Sequence, residues 1–108
     1  MREIKFRAWD TLEKKMVFGH FNLPPVDTIT KTWLYMQYTG LHDKNGKEIY
    51  EGDILKYQSE ICTVEWKLGA WLACCTKKDG LSGHWLGNNQ EYIEEIIGNI
   101  YENPELLI

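Results

Sequence analysis

Met36-Gln37-Tyr38-Thr39-Gly40-Leu41-His42-Asp43-Lys44-Asn45-Gly46-Lys47-Glu48-Ile49-Tyr50-Glu51-Gly52-Asp53 is the stretch that fixes the path of this chain. Asn45-Gly46 suits a turn that needs positive φ, a conformation Asn tolerates and Gly adopts freely. Glu51-Gly52-Asp53 reads as a second tight turn, with Asp53 supplying turn hydrogen bonds. Thr39-Gly40 reads as the end of a strand. Gly40, Gly46 and Gly52 are evenly spaced, but no Gly-Lys-Ser/Thr ending follows, so they are three turn points and not a phosphate cradle. The stretch specifies a backbone and no chemistry.

Upstream, Ile4, Phe6 and Ala8 alternate with Lys5, Arg7 and Trp9. A period of two predicts a strand with one buried face, Arg7 and Trp9 lying on the other. Asp10–Lys15 is a polar break, and Asp10 and Glu13 have capping-box spacing that also allows one helical turn. Met16, Phe18 and His20 continue as a second strand, completing an N-terminal hairpin. Leu23-Pro24-Pro25-Val26 offers no donor at either proline and reads as a loop. Trp33–Tyr38 alternates large side chains on both faces, so a strand covered on both sides is expected.

Downstream, five short β segments follow: Ile54–Tyr57, Ile61–Trp66, Ala70–Cys75, His84–Leu86 and Glu95–Tyr101. The connections Gln58-Ser59-Glu60 and Lys67-Leu68-Gly69 have hairpin length. Closely spaced short strands predict a small barrel or roll. Thr76–Gly83 and Asn88-Asn89-Gln90 read as loops. Tyr92–Ile97 fits both periods, and its isoleucines around Gly98 favour a strand from Glu95. Asn103-Pro104 reads as the cap and first position of a terminal helical turn. The expected fold is all-β: an N-terminal hairpin and extension over residues 1–50, then an SH3-like barrel over 51–108, packed as one compact unit.

The 108 residues suit a single small domain, and aromatic residues make up 13% of them. Rings at that density point to β-structure or an interface. Residues 1–50 carry eight basic and six acidic side chains, net +2, and residues 51–108 carry four and ten, net −6. The acidic half disfavours phosphate binding, and the asymmetry suits head-to-tail contacts between copies. No apolar run is long enough to span a bilayer, and charges interrupt the N-terminus where a signal peptide needs a continuous apolar core. The odd cysteine count (Cys62, Cys74, Cys75) fits a reduced, cytoplasmic chain.

Catalysis and metal binding find little to stand on. His20, His42, His84 and the three cysteines show no ligand pair at zinc-site spacing, and Cys74 and Cys75 point to opposite faces of a strand. Ser82 lies two residues from His84 without a nucleophile elbow around it. Glu94/Glu95 read as solvated charges. No catalytic residue, cofactor or metal is expected, and an enzyme would need a pocket with perturbed titratable groups. A nucleic-acid surface would draw on Arg2, Lys5, Arg7, Trp9, Lys14, Lys15, Lys77 and Lys78, because small barrels bind strands through rings flanked by basic residues.

Three segments together resemble the YopX family of small phage and prophage proteins. They are Met-Arg-Glu-Ile-Lys-Phe-Arg-Ala-Trp-Asp at residues 1–10, the Met36–Asp53 stretch, and Ile97–Leu107. The resemblance implies coiled antiparallel sheets with an SH3-like barrel in the C-terminal part, and expression inside a bacterial cell. It carries over no catalytic residue. The expectation is a non-enzymatic accessory protein acting through protein contacts, as a homo-oligomer or with a phage or host protein, without a membrane. Arg7, Trp9, Lys15, Trp33 and Tyr35 are the contact candidates, and Gly40, Gly46, Gly52 and Asp53 the structural turns. The alternative is a nucleic-acid-binding SH3-like module.

Overall fold

The computed structural model describes residues 4–18, 33–75, 83–88 and 90–107. Expectations about Arg2, His20, Leu23–Val26, Lys77, Lys78, Ser82 and Asn89 lie outside the described residues. Among the described residues nine strands follow in order: β1 (Phe6–Asp10), β2 (Lys15–Phe18), β3 (Trp33–His42), β4 (Glu48–Tyr50), β5 (Asp53–Tyr57), β6 (Glu60–Lys67), β7 (Ala70–Cys75), β8 (Gly83–Trp85) and β9 (Ile93–Asn99). They form two antiparallel sheets, ordered β2-β1-β3-β4 and β8-β7-β6-β5-β9. The fold is all-β, as the alternation and turn spacing predict. The turn at Glu51-Gly52 stands between the last strand of the first sheet and β5.

The second sheet curls into a half-barrel. Neighbouring strands lie about 4.8 Å apart, so β8 and β5, three steps apart, would be roughly 14 Å apart in a flat sheet. Instead the rings of His84 on β8 and Tyr57 on β5 stack with centroids 4.7 Å apart. The curl encloses a core of Leu55, Tyr57, Cys62, Val64, Trp71, Ala73, Cys75, Leu86 and Ile93, joined by Ile49 from the first sheet.

Tight two-residue turns build this sheet. Gln58 and Ser59, then Leu68 and Gly69, all have positive φ. That is the twist a hairpin needs, although only Gly69 adopts it without steric cost. Local tethers hold the first turn: the Gln58 N–H donates to Tyr92 O and the Ser59 N–H to Glu94 Oε2.

Three expectations are corrected. β1 is buried from Arg7 to Asp10 and has no solvent face, because it is a central strand flanked by β2 and β3 and covered by C-terminal residues. β3 does not end at Thr39-Gly40. It runs on to His42 through a register shift, with Gly40 at φ +88°, and changes partner there from β1 to β4. A bulge explains both: β3 takes four residue steps, Tyr38 to His42, against two on β4, Tyr50 to Glu48, and the two extra residues bend the strand. Nor is β3 covered on both faces, since Tyr35 is 38% exposed.

At the C-terminus Pro104–Leu107 forms a short 3-10 turn. The Asn103 side chain turns back to accept from the Asn99 N–H instead of capping that turn, and Asn99 Oδ1 itself accepts from the N–H groups of Tyr101 and Glu102. The Asp10 side chain accepts from the Leu12 and Glu13 N–H groups, so the β1–β2 break is a turn closed by Asp10.

Candidate protein-contact site

Gly52 is where the two sheets meet. Its N–H donates to Val64 O and its carbonyl accepts from the Ile100 N–H, each at 2.9 Å, which ties β4's exit to β6 and to the end of β9. Its φ of +87° is open to Gly, and an added Cβ would sit 3.1 Å from Met36 Sδ. The backbone therefore runs close under the first sheet. A cleft of about 540 Å³ opens above it.

The cleft is ringed by aromatics and acids. Tyr35 from β3 and Trp66 from β6 line it, 38% and 49% exposed. Trp66 packs edge-on against Trp71, centroids 4.9 Å apart, so its indole is braced although half of it faces water. Tyr101 also lines the cleft and stacks on Trp9 at 5.8 Å. Glu51 and Glu65 supply the charge. Burial pushes the Glu65 carboxyl up, but hydrogen bonds from Thr63, Lys67 and Cys74 outweigh it and leave it below its ordinary value. Glu65 thus stays ionised at neutral pH, beside Lys67 at 3.2 Å. Braced rings beside fixed carboxylates can receive apolar and basic side chains of a protein.

The contact candidates from the sequence divide. Tyr35 lies on the cleft, and Trp33, two residues earlier on the same strand face, is half-buried. Lys15 is exposed at the hairpin tip, paired with Glu13 at 2.8 Å, and sits across Asp10 from Trp33 in the register. Arg7 and Trp9 are not surface residues: they are 4% and 7% exposed. The Arg7 guanidinium lies 2.9 Å from Asp53, donates to Glu51 O and covers the Tyr50 ring at 4.9 Å. With both occupied inside the fold, the basic-and-aromatic surface expected on β1 is not there.

Asp53 combines two tasks. Its Oδ2 accepts from the Tyr50 N–H at 2.7 Å, the turn role expected for it, and its Oδ1 takes Arg7. Burial pushes its carboxyl up, and Arg7 and the Tyr50 N–H pull it part of the way back. Gly46, at φ +83°, turns the β3–β4 hairpin as expected. Asp43 holds that hairpin, accepting from the Asn45 and Lys47 N–H groups and, on β9, from the Ile96 N–H.

Sequence reasoning missed Trp66 and the acids beside it. An aromatic at the tip-side end of a hairpin strand, next to Glu65 and Lys67, was a usable signal, because a two-residue turn leaves such a position beyond the core. It also missed that Glu60, Cys75 and His84 meet, their ligand atoms all within 4.8 Å of one another. Their register depends on three strands. The Cys74 and Cys75 thiols are held protonated. Burial, then Glu65, pushes Cys74 up to about 11, and burial with hydrogen bonds to Cys62 and Glu60 pushes Cys75 higher still.

Among the described residues no helix is long and apolar enough to cross a membrane. Comparison with curated proteins returns no match. Among solved structures, the chain is similar to protein EF1440 from Enterococcus faecalis, with 28% identity and a TM-score of 0.69 over 100% of both chains. The YopX protein family matches residues 18–108, which takes in eight of the nine strands in whole or part, both sides of the Gly52 junction and every residue lining the cleft. The chain belongs to the YopX family.

Proposed function

We propose that this protein is a non-enzymatic accessory protein of a phage or prophage, working inside the bacterial cell by binding protein at the Gly52 cleft, and that one of its partners is a second copy of itself. The observation that carries this reading is the pair of half-exposed rings, Tyr35 and Trp66, flanking Glu51 and Glu65 in one cleft. Exposed aromatics braced from behind resemble the anchors that dominate protein interfaces. Membership of the YopX family and likeness to EF1440 support a small accessory role. Protonated Cys74 and Cys75 thiols are poor nucleophiles, which supports a non-enzymatic one. Opposite net charge in the two halves favours copies meeting head to tail.

Size-exclusion chromatography with light scattering tests the self-association. At roughly tens of micromolar, where interfaces of modest size are populated, the wild type forms an oligomer that Trp66→Ala or Tyr35→Ala dissociates. A strict monomer sinks the self-association. An oligomer unchanged in both variants moves the contact away from the cleft.

A further inference from the structure

Glu60 on β6, Cys75 on β7 and His84 on β8 bring a carboxylate oxygen, a thiol sulfur and an imidazole nitrogen within 4.8 Å of one another. Three features make this more than a chance cluster. The three residues come from three successive strands of the curled sheet, so the curl converges them on one spot. The Cys75 thiol is already hydrogen-bonded to Glu60 and to Cys62, its direct partner across the β6–β7 ladder. The imidazole of His84 stacks on the Tyr57 ring, with centroids 4.7 Å apart and ring planes inclined at 19°.

We infer that Glu60, Cys75 and His84 form a binding site for a borderline-soft divalent cation, zinc being the best fit, that clamps the short edge strand β8 onto the half-barrel. Tetrahedral zinc places sulfur, nitrogen and oxygen ligands about 3.3–3.6 Å apart, so the three atoms need to draw in by no more than roughly 1.5 Å. Glu60 and His84 are partly exposed side chains that can rotate inward, while Cys75 is fixed in the core. A thiol with an imidazole selects zinc over magnesium or calcium. On binding, the S–H bond of Cys75 breaks, its proton passes to solvent, and a sulfur–metal bond forms. One thiolate and one carboxylate then neutralise the dication, which suits a site at the edge of an apolar core. The fourth position falls to water or to the Cys62 sulfur. Cys74, on the opposite face of β7, takes no part. Among the described residues β8 is three residues long and pairs only with β7, so a clamp there reinforces a short ladder.

Cobalt(II) titration of the full chain under reducing, metal-free conditions tests the site. One equivalent gives a thiolate-to-cobalt charge-transfer band with the strong visible bands of tetrahedral cobalt, and zinc displaces it. Zinc also raises the melting temperature, and a chelator reverses the rise. His84→Ala and Glu60→Gln, both at partly exposed positions, weaken cobalt binding roughly tenfold or more. Cys75→Ser abolishes the charge-transfer band, and Cys74→Ser leaves it unchanged. Absence of tetrahedral bands, wild-type affinity in both His84→Ala and Glu60→Gln, or loss of the band in Cys74→Ser would overturn the assignment.

Discussion

The Arg7 guanidinium and the Asp53 carboxylate meet at 2.9 Å with their side chains 5% and 3% exposed, and they join the first strand of one sheet to the first strand of the other. A pair sealed this well depends on both members, because a lone buried charge is far costlier than the pair. Arg7→Met is expected to destabilise by about 3–5 kcal/mol. Arg7→Met combined with Asp53→Asn should recover much of that loss, since no buried charge is then left alone. Urea unfolding of the two single variants and the double variant measures the coupling; additive losses would show that the pair is not coupled.

Gly52 and Gly46 share a left-handed backbone, at φ +87° and +83°, but not a neighbourhood. An added Cβ at Gly46 meets nothing within 4 Å, while at Gly52 it meets Met36 Sδ at 3.1 Å. Gly46→Ala therefore costs only the conformation, roughly 1–2 kcal/mol. Gly52→Ala adds a packing conflict and should cost about 2–4 kcal/mol. Equal melting temperatures for the two variants would contradict the close approach under Met36.

Asp43 links acid stability to the β3–β4 turn. Burial pushes its carboxyl up, but the N–H groups of Ile96, Lys47 and Asn45 outweigh that and hold it below its ordinary value. A carboxyl lowered by folding stabilises the native state above the unfolded pKa of about 4 and loses that contribution as pH falls through the folded value. Asp43→Ala should lose about 3 kcal/mol at pH 7, and the gap to wild type should narrow below about pH 4. A gap constant from pH 7 to pH 2.5 or so would remove Asp43 from the acid response.

Cys74 offers a chemical readout of Glu65. Its thiol is pushed up to about 11 by burial and by the Glu65 carboxylate. Maleimide labelling of Cys74 should be slow at neutral pH and climb steadily toward pH 11, since only the thiolate reacts. Glu65→Gln removes a negative neighbour, lowers the thiol pKa and should speed labelling several-fold at pH 8. The buried Cys62 and Cys75 should label only on unfolding. An unaltered rate in Glu65→Gln would disconnect the two groups.

Local signals made the strand order of the chain legible. Asn45-Gly46 marks its turn because only a few residues accept positive φ, and the hairpin-length breaks at Gln58-Ser59-Glu60 and Lys67-Leu68-Gly69 mark where β5, β6 and β7 begin and end. What escaped was everything set by distant partners. Arg7 and Trp9 look like a polar face until Asp53 and Tyr101 cover them, and Gly40 looks like a strand end until β4 pairs beyond it. The turn at Leu68-Gly69 implies that Cys62 faces Cys75, but nothing local implies that His84 returns to meet them. The curl of the sheet does that, and curl is a property of five strands together.

The two sheets interlock through Arg7 with Asp53, Trp9 with Tyr101, and Asp43 with Ile96, each contact joining an early residue to a late one. Exchanging or trimming one half alone would strip each of these contacts of a partner. Arg7 with Asp53 and Trp9 with Tyr101 should therefore co-vary across relatives more tightly than any of the four does with its sequence neighbours.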